Sequence, residues 1–130
     1  MASIIPNLSD VKELQPVPAG EYDLCLNSVK HVTYDSGASC INMAFEIVGE
    51  DDAETLWHKL WLPTKGEAES TTNNKLRTLK KFMEDCDIPT DEALDDLTCF
   101  DNLTLTANVG VEYDDYNSKD INTLKSVKKV

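Results

Sequence analysis

Two tryptophans and a lysine occupy alternate positions in residues 56–62, which read Leu-Trp-His-Lys-Leu-Trp-Leu. In an extended strand, alternate side chains project from the same face, so Trp57, Lys59 and Trp61 would lie together. Indole rings can stack on nucleobases while an ammonium group contacts a phosphate, a combination that binds single strands with little regard to sequence. We therefore predict that this face contacts single-stranded nucleic acid.

The other face of the same segment carries three leucines and His58. This set makes a better interior than two tryptophans around a lysine, because burying an unpaired ammonium group is costly whereas histidine can be neutral and hydrogen-bonded. We therefore expect His58 to be an interior histidine and not a ligand or a catalyst. The alternative is that the tryptophan face is the core.

Hydrophobic periodicity predicts the elements that position this segment. Residues 73–86 have the three- and four-residue spacing of an amphipathic helix, with Thr71 or Thr72 as its cap, and residues 90–94 resemble a short capped helix. Alternating residues predict five strands, at 21–34, 41–47, 56–62, 103–113 and 121–127.

This order of elements predicts an all-β-leaning fold, a five-stranded Greek-key OB-like barrel with its helix between strands three and four. Residues 1–16 contain prolines that stop regular structure and are predicted to form an N-terminal arm. Residues 17–130 are predicted to form a single OB-like domain, since 130 residues enclose one ordinary core.

In an OB barrel, ligands contact strands two and three and the loops that join strands one to two and four to five. Tyr34 falls in the first of these loops, and Tyr116 and Lys119 fall in the second. Other basic residues are candidate phosphate contacts, although a lysine on a helix is usually only solvated. They are Lys30, Lys65, Lys75, Arg77, Lys125 and Lys128.

The net charge of −12 opposes polyanion binding at first sight, but its distribution is uneven. Residues 83–117 contain no Lys or Arg and supply nearly the whole acidic excess, so a cationic groove can coexist with an acidic back. A second function class is therefore a protein-interaction OB module, or an acidic DNA mimic that uses residues 84–101 to recruit partner proteins. Exposed barrel edges can pair, which makes a homodimer a further expectation.

Enzymatic and metal-binding motifs are not found in the sequence. There is no phosphate-cradling glycine loop, nucleophile elbow, H-E-x-x-H or C-x-x-C pair, so we expect no catalysis, no cofactor and no metal. The four cysteines are expected to be reduced thiols. No long apolar run or signal peptide is evident, which predicts no membrane association and a cytoplasmic location.

A series of landmarks also resembles a phage-encoded family of small single-stranded DNA-binding proteins. These are residues 7–11 and 17–23, residues 45–49, the Trp57 strand, the helix that runs into Pro89, and residues 109–112 followed by Asn122. Departures from the family are His58 and Lys59 after Trp57, and the less basic hairpin tip at residues 34–37. The resemblance implies an OB fold and a non-catalytic replication or recombination accessory, which binds single-stranded DNA, or RNA, in the host cytoplasm.

Overall fold

The computed structural model describes residues 4–9, 13–91, 93 and 96–128. Within these ranges the chain is mostly β, with one α-helix between the third and fourth strands, as the sequence predicts. The elements are β1 (Gly20–Thr33), β2 (Ser39–Ile47), β3 (Leu56–Leu62), α1 (Glu69–Asp85), a 3₁₀ turn (Thr98–Phe100), β4 (Thr104–Asp114) and β5 (Lys119–Val127).

The five strands form one antiparallel sheet in the order β3-β2-β1-β4-β5. Strand β1 is long enough to pair with β4 through residues 20–25 and with β2 through residues 24–33, with an irregularity between Leu26 and Ser28. The outer strands β3 and β5 contact each other, but no backbone ladder joins them within the described ranges. The sheet is therefore open, and closure into a Greek-key OB barrel stays a prediction.

The N-terminal segment links the two outer edges of this open sheet. The Gln15 N–H donates to the carbonyl of Asp52 at 2.8 Å, just before β3. Two residues later, the Val17 N–H donates to Asn122 Oδ1 on β5 at 2.8 Å, and Asn122 Nδ2 donates to the carbonyls of Val17 (2.8 Å) and Gly110 (3.2 Å). Residues 15–17 thus form a hydrogen-bonded strap between the edges, while the predicted arm boundary at residue 16 stays a prediction.

The core lies on one face of the sheet, beneath helix α1. Alternate residues of β2 point into it and meet the leucines of β3 and the apolar side of the helix. Burial of this apolar area drives folding. The largest fully buried side chains are Phe45, Phe100, Leu24, Met43, Ile47, Leu56 and Leu60.

Helix α1 begins at Glu69, one turn earlier than the periodicity predicts. The predicted caps Thr71 and Thr72 are wrong, because Ala68 is the N-cap and the Thr72 N–H already continues the helical ladder to the Ala68 carbonyl at 3.0 Å. The first turn is entirely polar, so no apolar spacing marks it in the sequence.

The short helix predicted at residues 90–94 is not present in the part of it that is described. Thr90, Asp91 and Ala93 are not helical, and the remaining positions lie outside the described residues. Slightly later, Asp96 Oδ1 accepts from both the N–H (3.1 Å) and the hydroxyl (2.6 Å) of Thr98, where the 3₁₀ turn begins. These bonds hold the start of the 3₁₀ turn, which follows the segment predicted to be helical.

Candidate nucleic-acid interface

The side chains of β3 have the orientation that the sequence predicts. Trp57 and Trp61 are 58% and 43% exposed, and Lys59 between them is also exposed. Leu56 and Leu60 are buried at 0% and 2% exposure. The prediction that the two tryptophans point outward is therefore confirmed, and the alternative that they form the core is wrong.

The register of β1, β2 and β3 extends this tryptophan face across three strands. Residues that pair directly across neighbouring strands form rows, and their outward side chains are neighbours. We call this surface the outer face, and its middle row the central row. The rows are Ser28, Ala44 and Trp57; then Lys30, Asn42 and Lys59; then Val32, Cys40 and Trp61.

An aromatic cluster of Tyr34, Lys59 and Trp61 occupies one end of the outer face. The two rings lie 6.0 Å apart, and Lys59 Nζ sits 5.5 Å from the Tyr34 centroid and 5.8 Å from the Trp61 centroid. Lys59 also donates to the Tyr34 hydroxyl at 3.1 Å, which raises the pKa of Lys59. The ammonium group therefore stays charged and turns toward two aromatic faces.

The β1–β2 turn holds Tyr34 in this position. Its backbone N–H donates to the Ala38 carbonyl at 2.8 Å, and its carbonyl accepts from the Gly37 N–H at 2.9 Å. Gly37 has a φ of 88°, which glycine adopts without the strain that a side chain would cause. The turn therefore brings Tyr34 back over β3. Tyr34 lies in the loop between β1 and β2, where the sequence analysis placed it.

A cleft of about 650 Å³ lies beside Trp57 and is called here the Trp57 cleft. Asn42 and Lys59 of the central row line it, together with Leu14 of the N-terminal segment and residues of the β4–β5 loop. Asn42 Oδ1 is enclosed and has no hydrogen-bond partner within the described residues. The cleft therefore joins an indole ring, an ammonium group and a side-chain amide.

The carboxylates that line the Trp57 cleft are already bonded within the protein. Glu54 Oε1 accepts from Lys119 Nζ at 3.2 Å. Asp114 accepts from Asn117 Nδ2 at 2.6 Å and from the Tyr116 N–H at 3.0 Å, and these hydrogen bonds lower the pKa of Asp114. The two carboxylates of the cleft thus have partners before any ligand binds.

The β4–β5 loop presents Tyr116 to solvent at 94% exposure. Its ring is open for stacking, but the neighbouring residues include Asp114, Asp115 and Asp120, and Lys119 is paired with Glu54. Repulsion between these carboxylates and a phosphate makes the loop a poor backbone contact. The loop therefore offers an aromatic ring without a free cation.

Ion pairing divides the predicted phosphate contacts into two groups. Lys119 pairs with Glu54, Lys125 with Glu112, Lys128 with Glu21 and Lys75 with Glu67. Over the described ranges, four cations have no carboxylate partner, and two of them lie in the central row. The four are Lys30, Lys59, Lys65 and Arg77.

Two parts of this surface were missed by the sequence analysis. Asn42 was not singled out because its place between Lys30 and Lys59 depends on strand register; the polar alternation of β2 was the available signal. A smaller cleft of about 190 Å³ continues from Lys59 and Trp61 to Asn74 and neighbouring residues of α1. Helix α1 thus flanks the aromatic cluster.

His58 is partly buried on the inner side of β3, the side on which it was predicted to lie. Its ring stacks on Phe82 of α1 with centroids 5.5 Å apart and an interplanar angle of 29°. Burial lowers the pKa of His58, so the imidazole is neutral at pH 7. No hydrogen bond to its ring is found among the described residues, so the structure gives the ring an apolar neighbour and not the polar partner that was expected.

All four cysteines are free thiols, as predicted. Burial, with a smaller effect of Asp85, raises the pKa of Cys86 to about 11, which keeps that thiol protonated. Searching the described residues gives no cluster of three or more His, Cys, Asp or Glu that could hold a metal ion. The same residues include no helix long and apolar enough to cross a membrane.

No protein-family model matches the chain, and no curated protein matches it significantly. The geometry of the outer face is therefore the basis for assigning a function.

Proposed function

We propose that the protein binds single-stranded DNA without catalysis, in the manner of the phage-encoded family that its sequence resembles. One observation carries the proposal: the outer face exposes Trp57 and Trp61 on either side of a central row that holds two lysines free of carboxylates. Exposed indole rings together with free ammonium groups are what sequence-tolerant binding of single strands requires.

The spacing of the aromatic groups suits unpaired bases. Trp57 and Trp61 are four residues apart on one strand, a separation of about 13 Å at the usual rise per residue. Stacked bases repeat at about 3.4 Å, so the interval accommodates roughly three of them. A duplex hides its base faces, and only a single strand can offer them to these rings.

Strand order supports an OB-type barrel as the framework for this site. Three features support this framework, because the order β3-β2-β1-β4-β5, the contact between β3 and β5, and the helix between β3 and β4 are what a partly open five-stranded Greek-key barrel would require. In such barrels strands two and three and the loops after strands one and four meet the ligand. Trp57, Lys59, Tyr34 and Tyr116 occupy those positions.

The biological role that follows is a replication or recombination accessory that coats single-stranded DNA in the cytoplasm of a phage host. RNA is a second possible ligand, because stacking does not distinguish the sugars. Partner proteins of replication or recombination could contact the acidic surface formed by residues 84–101, and exposed sheet edges could support a homodimer.

Alanine substitution of each tryptophan tests the proposal directly. Trp57→Ala and Trp61→Ala should each weaken binding of a fluorescein-labelled oligo-dT by about 1–3 kcal/mol, measured by anisotropy, because each removes one stacking ring. The fold should persist, since both rings are exposed, and a thermal melt checks this.

Tyr113→Ala is the matched control, because Tyr113 is an exposed aromatic residue whose side chain alternates with that of Asp114 and so faces away from the Trp57 cleft. Equal binding by the two tryptophan variants and the native protein would contradict the proposal. Failure of the native protein to bind any oligonucleotide would favour the protein-interaction module or DNA mimic instead.

A further inference from the structure

One wall of the Trp57 cleft comes from the N-terminal segment and not from the sheet. Leu14 lines this cleft together with Trp57, and the two side chains are 55% and 58% exposed. Each therefore presents apolar surface that the protein itself leaves uncovered. Single exposed apolar side chains are common on protein surfaces, whereas two that border one cleft indicate a place for an apolar or aromatic ligand.

The strap anchors the backbone next to Leu14. The following residue, Gln15, donates its N–H to the Asp52 carbonyl at 2.8 Å, and its own carbonyl accepts from the Glu54 N–H at 3.1 Å. Two residues further on, Val17 is buried in the core and its N–H is hydrogen-bonded to β5. A ligand can therefore contact Leu14 without first ordering this backbone, a step that would cost binding free energy.

The size and lining of the Trp57 cleft suit one unpaired base. Its volume of about 650 Å³ is within the range of small-ligand sites. Proteins that hold a base outside a duplex stack it between aromatic and apolar side chains. Trp57 supplies the aromatic group and Leu14 an apolar one, so a base in the cleft can cover both.

We infer that the strap is part of the nucleic-acid interface and that Leu14 contacts the base held at Trp57. The inference rests on the proposed function and makes the N-terminal segment a ligand-dependent part of the same site. Because the strap joins the two edges of the open sheet, a ligand that contacts Leu14 also favours the strapped form. Binding of single-stranded DNA and attachment of the strap are therefore coupled, and each stabilises the other.

Leu14→Ala in the full-length protein tests the contact, with binding of labelled oligo-dT measured by anisotropy. Affinity should fall about fivefold, the effect of leaving one to two methylene groups uncovered. Leu8→Ala is the matched control, because Leu8 belongs to the same segment, is 60% exposed and lies outside the lining of the Trp57 cleft. Its affinity should equal that of the native protein. Both leucines are exposed, so neither variant should change the thermal melt.

A double-mutant cycle shows whether Leu14 and Trp57 contact the same base. Removing the indole ring takes away the base that Leu14 covers, so Leu14→Ala should weaken the Trp57→Ala variant by only about twofold or less. Trp61 lies four residues further along β3, and Leu14→Ala should still weaken Trp61→Ala by about fivefold. Equal losses in the two backgrounds would overturn the shared contact.

Hydrogen exchange tests the coupling between ligand and strap in the native protein. Saturating oligo-dT should slow exchange of the Gln15 N–H by about fivefold, because linkage ties this factor to the one by which Leu14 strengthens binding. The Asp101 N–H is the control, since it donates to the Thr98 carbonyl at 3.0 Å in the 3₁₀ turn, outside the cleft. Its exchange should not change. An unchanged rate at Gln15 would overturn the coupling.

Failure of the inference and failure of the proposed function give different results. If Leu14→Ala binds oligo-dT as the native protein does while Trp57→Ala binds weakly, the inference is refuted and the proposed function stands. Equal losses in Leu14→Ala and Leu8→Ala would also refute the inference, because Leu8 lies outside the cleft lining. Absence of binding to every oligonucleotide by the native protein refutes both.

Discussion

Replacing Lys30 by glutamine should reduce both the affinity for single-stranded DNA and its salt dependence. Lys30 lies opposite Asn42 in the central row and has no carboxylate partner within the described ranges. A phosphate at Lys30 would therefore displace only water and counterions. Each phosphate neutralised on a single strand contributes about 0.7 to the slope of log K against log salt.

The structure sets the size of the expected slope. Four predicted phosphate contacts have no carboxylate partner in the described part of the chain, and Lys30, Lys59 and Lys65 remain when Arg77, which donates to Asn74 on α1 at 3.2 Å, is set aside. Three contacts give a slope of roughly −2. Lys30→Gln should make the slope less negative by about 0.7, which amounts to an affinity loss of about fivefold at 0.1 M salt. Anisotropy of labelled oligo-dT between 50 and 200 mM NaCl measures both quantities.

Lys125→Gln is the charge-matched control for this experiment. Lys125 pairs with Glu112 across β4 and β5, so its charge is already balanced and its removal should leave the slope unchanged. If Lys125→Gln lowered the slope as much as Lys30→Gln, pairing would not decide which lysines meet phosphate. An unchanged slope in Lys30→Gln would refute the assignment of the central row as the backbone contact.

Two further predictions concern stability, measured by urea unfolding. Asn122→Ala should cost about 2–4 kcal/mol, because it leaves the buried N–H of Val17 and two carbonyls without partners, whereas Asn108→Ala on the surface should cost about 0.5 kcal/mol or less. Equal losses in the two variants would refute the role of the strap. For His58, burial lowers the pKa below its ordinary value of 6.5, so the unfolded chain takes up the proton first, and stability should fall as the pH drops below about 6.5. His58→Gln should weaken this dependence, and an identical pH profile would show that His58 does not cause it.

Strand β3 was predictable from the sequence in both its bounds and its orientation. Its leucines alternate strictly with two tryptophans and a lysine. The leucine face is therefore the one that packs inward, because burying an ammonium group costs free energy. The other strands were predicted to within about two residues for the same reason. The first turn of α1 was missed, since the residues from Glu69 to Lys75 include no apolar side chain that could show a helical period.

The pairing of the lysines could not be predicted, because it joins residues that are far apart in the chain. Lys119 and Glu54 are separated by 65 positions, and Lys128 and Glu21 by 107. Only the folded sheet brings these charges together. The same holds for the central row, in which Lys30, Asn42 and Lys59 become neighbours through the registers of two strand pairs. Composition gives the number of cations, and topology decides which are free.

A chain with a net charge of −12 can bind a polyanion only if stacking supplies most of the affinity. None of the nine positions of the outer face rows holds a carboxylate, so repulsion is smallest where the bases would stack. With about three phosphate contacts, affinity should fall by about 20-fold between 50 and 200 mM salt. A protein that makes six to ten phosphate contacts on duplex DNA loses roughly 10³ to 10⁵ over the same range. Because a duplex offers phosphates but no base faces, the acidic remainder of the surface should exclude it and leave single strands as the ligand.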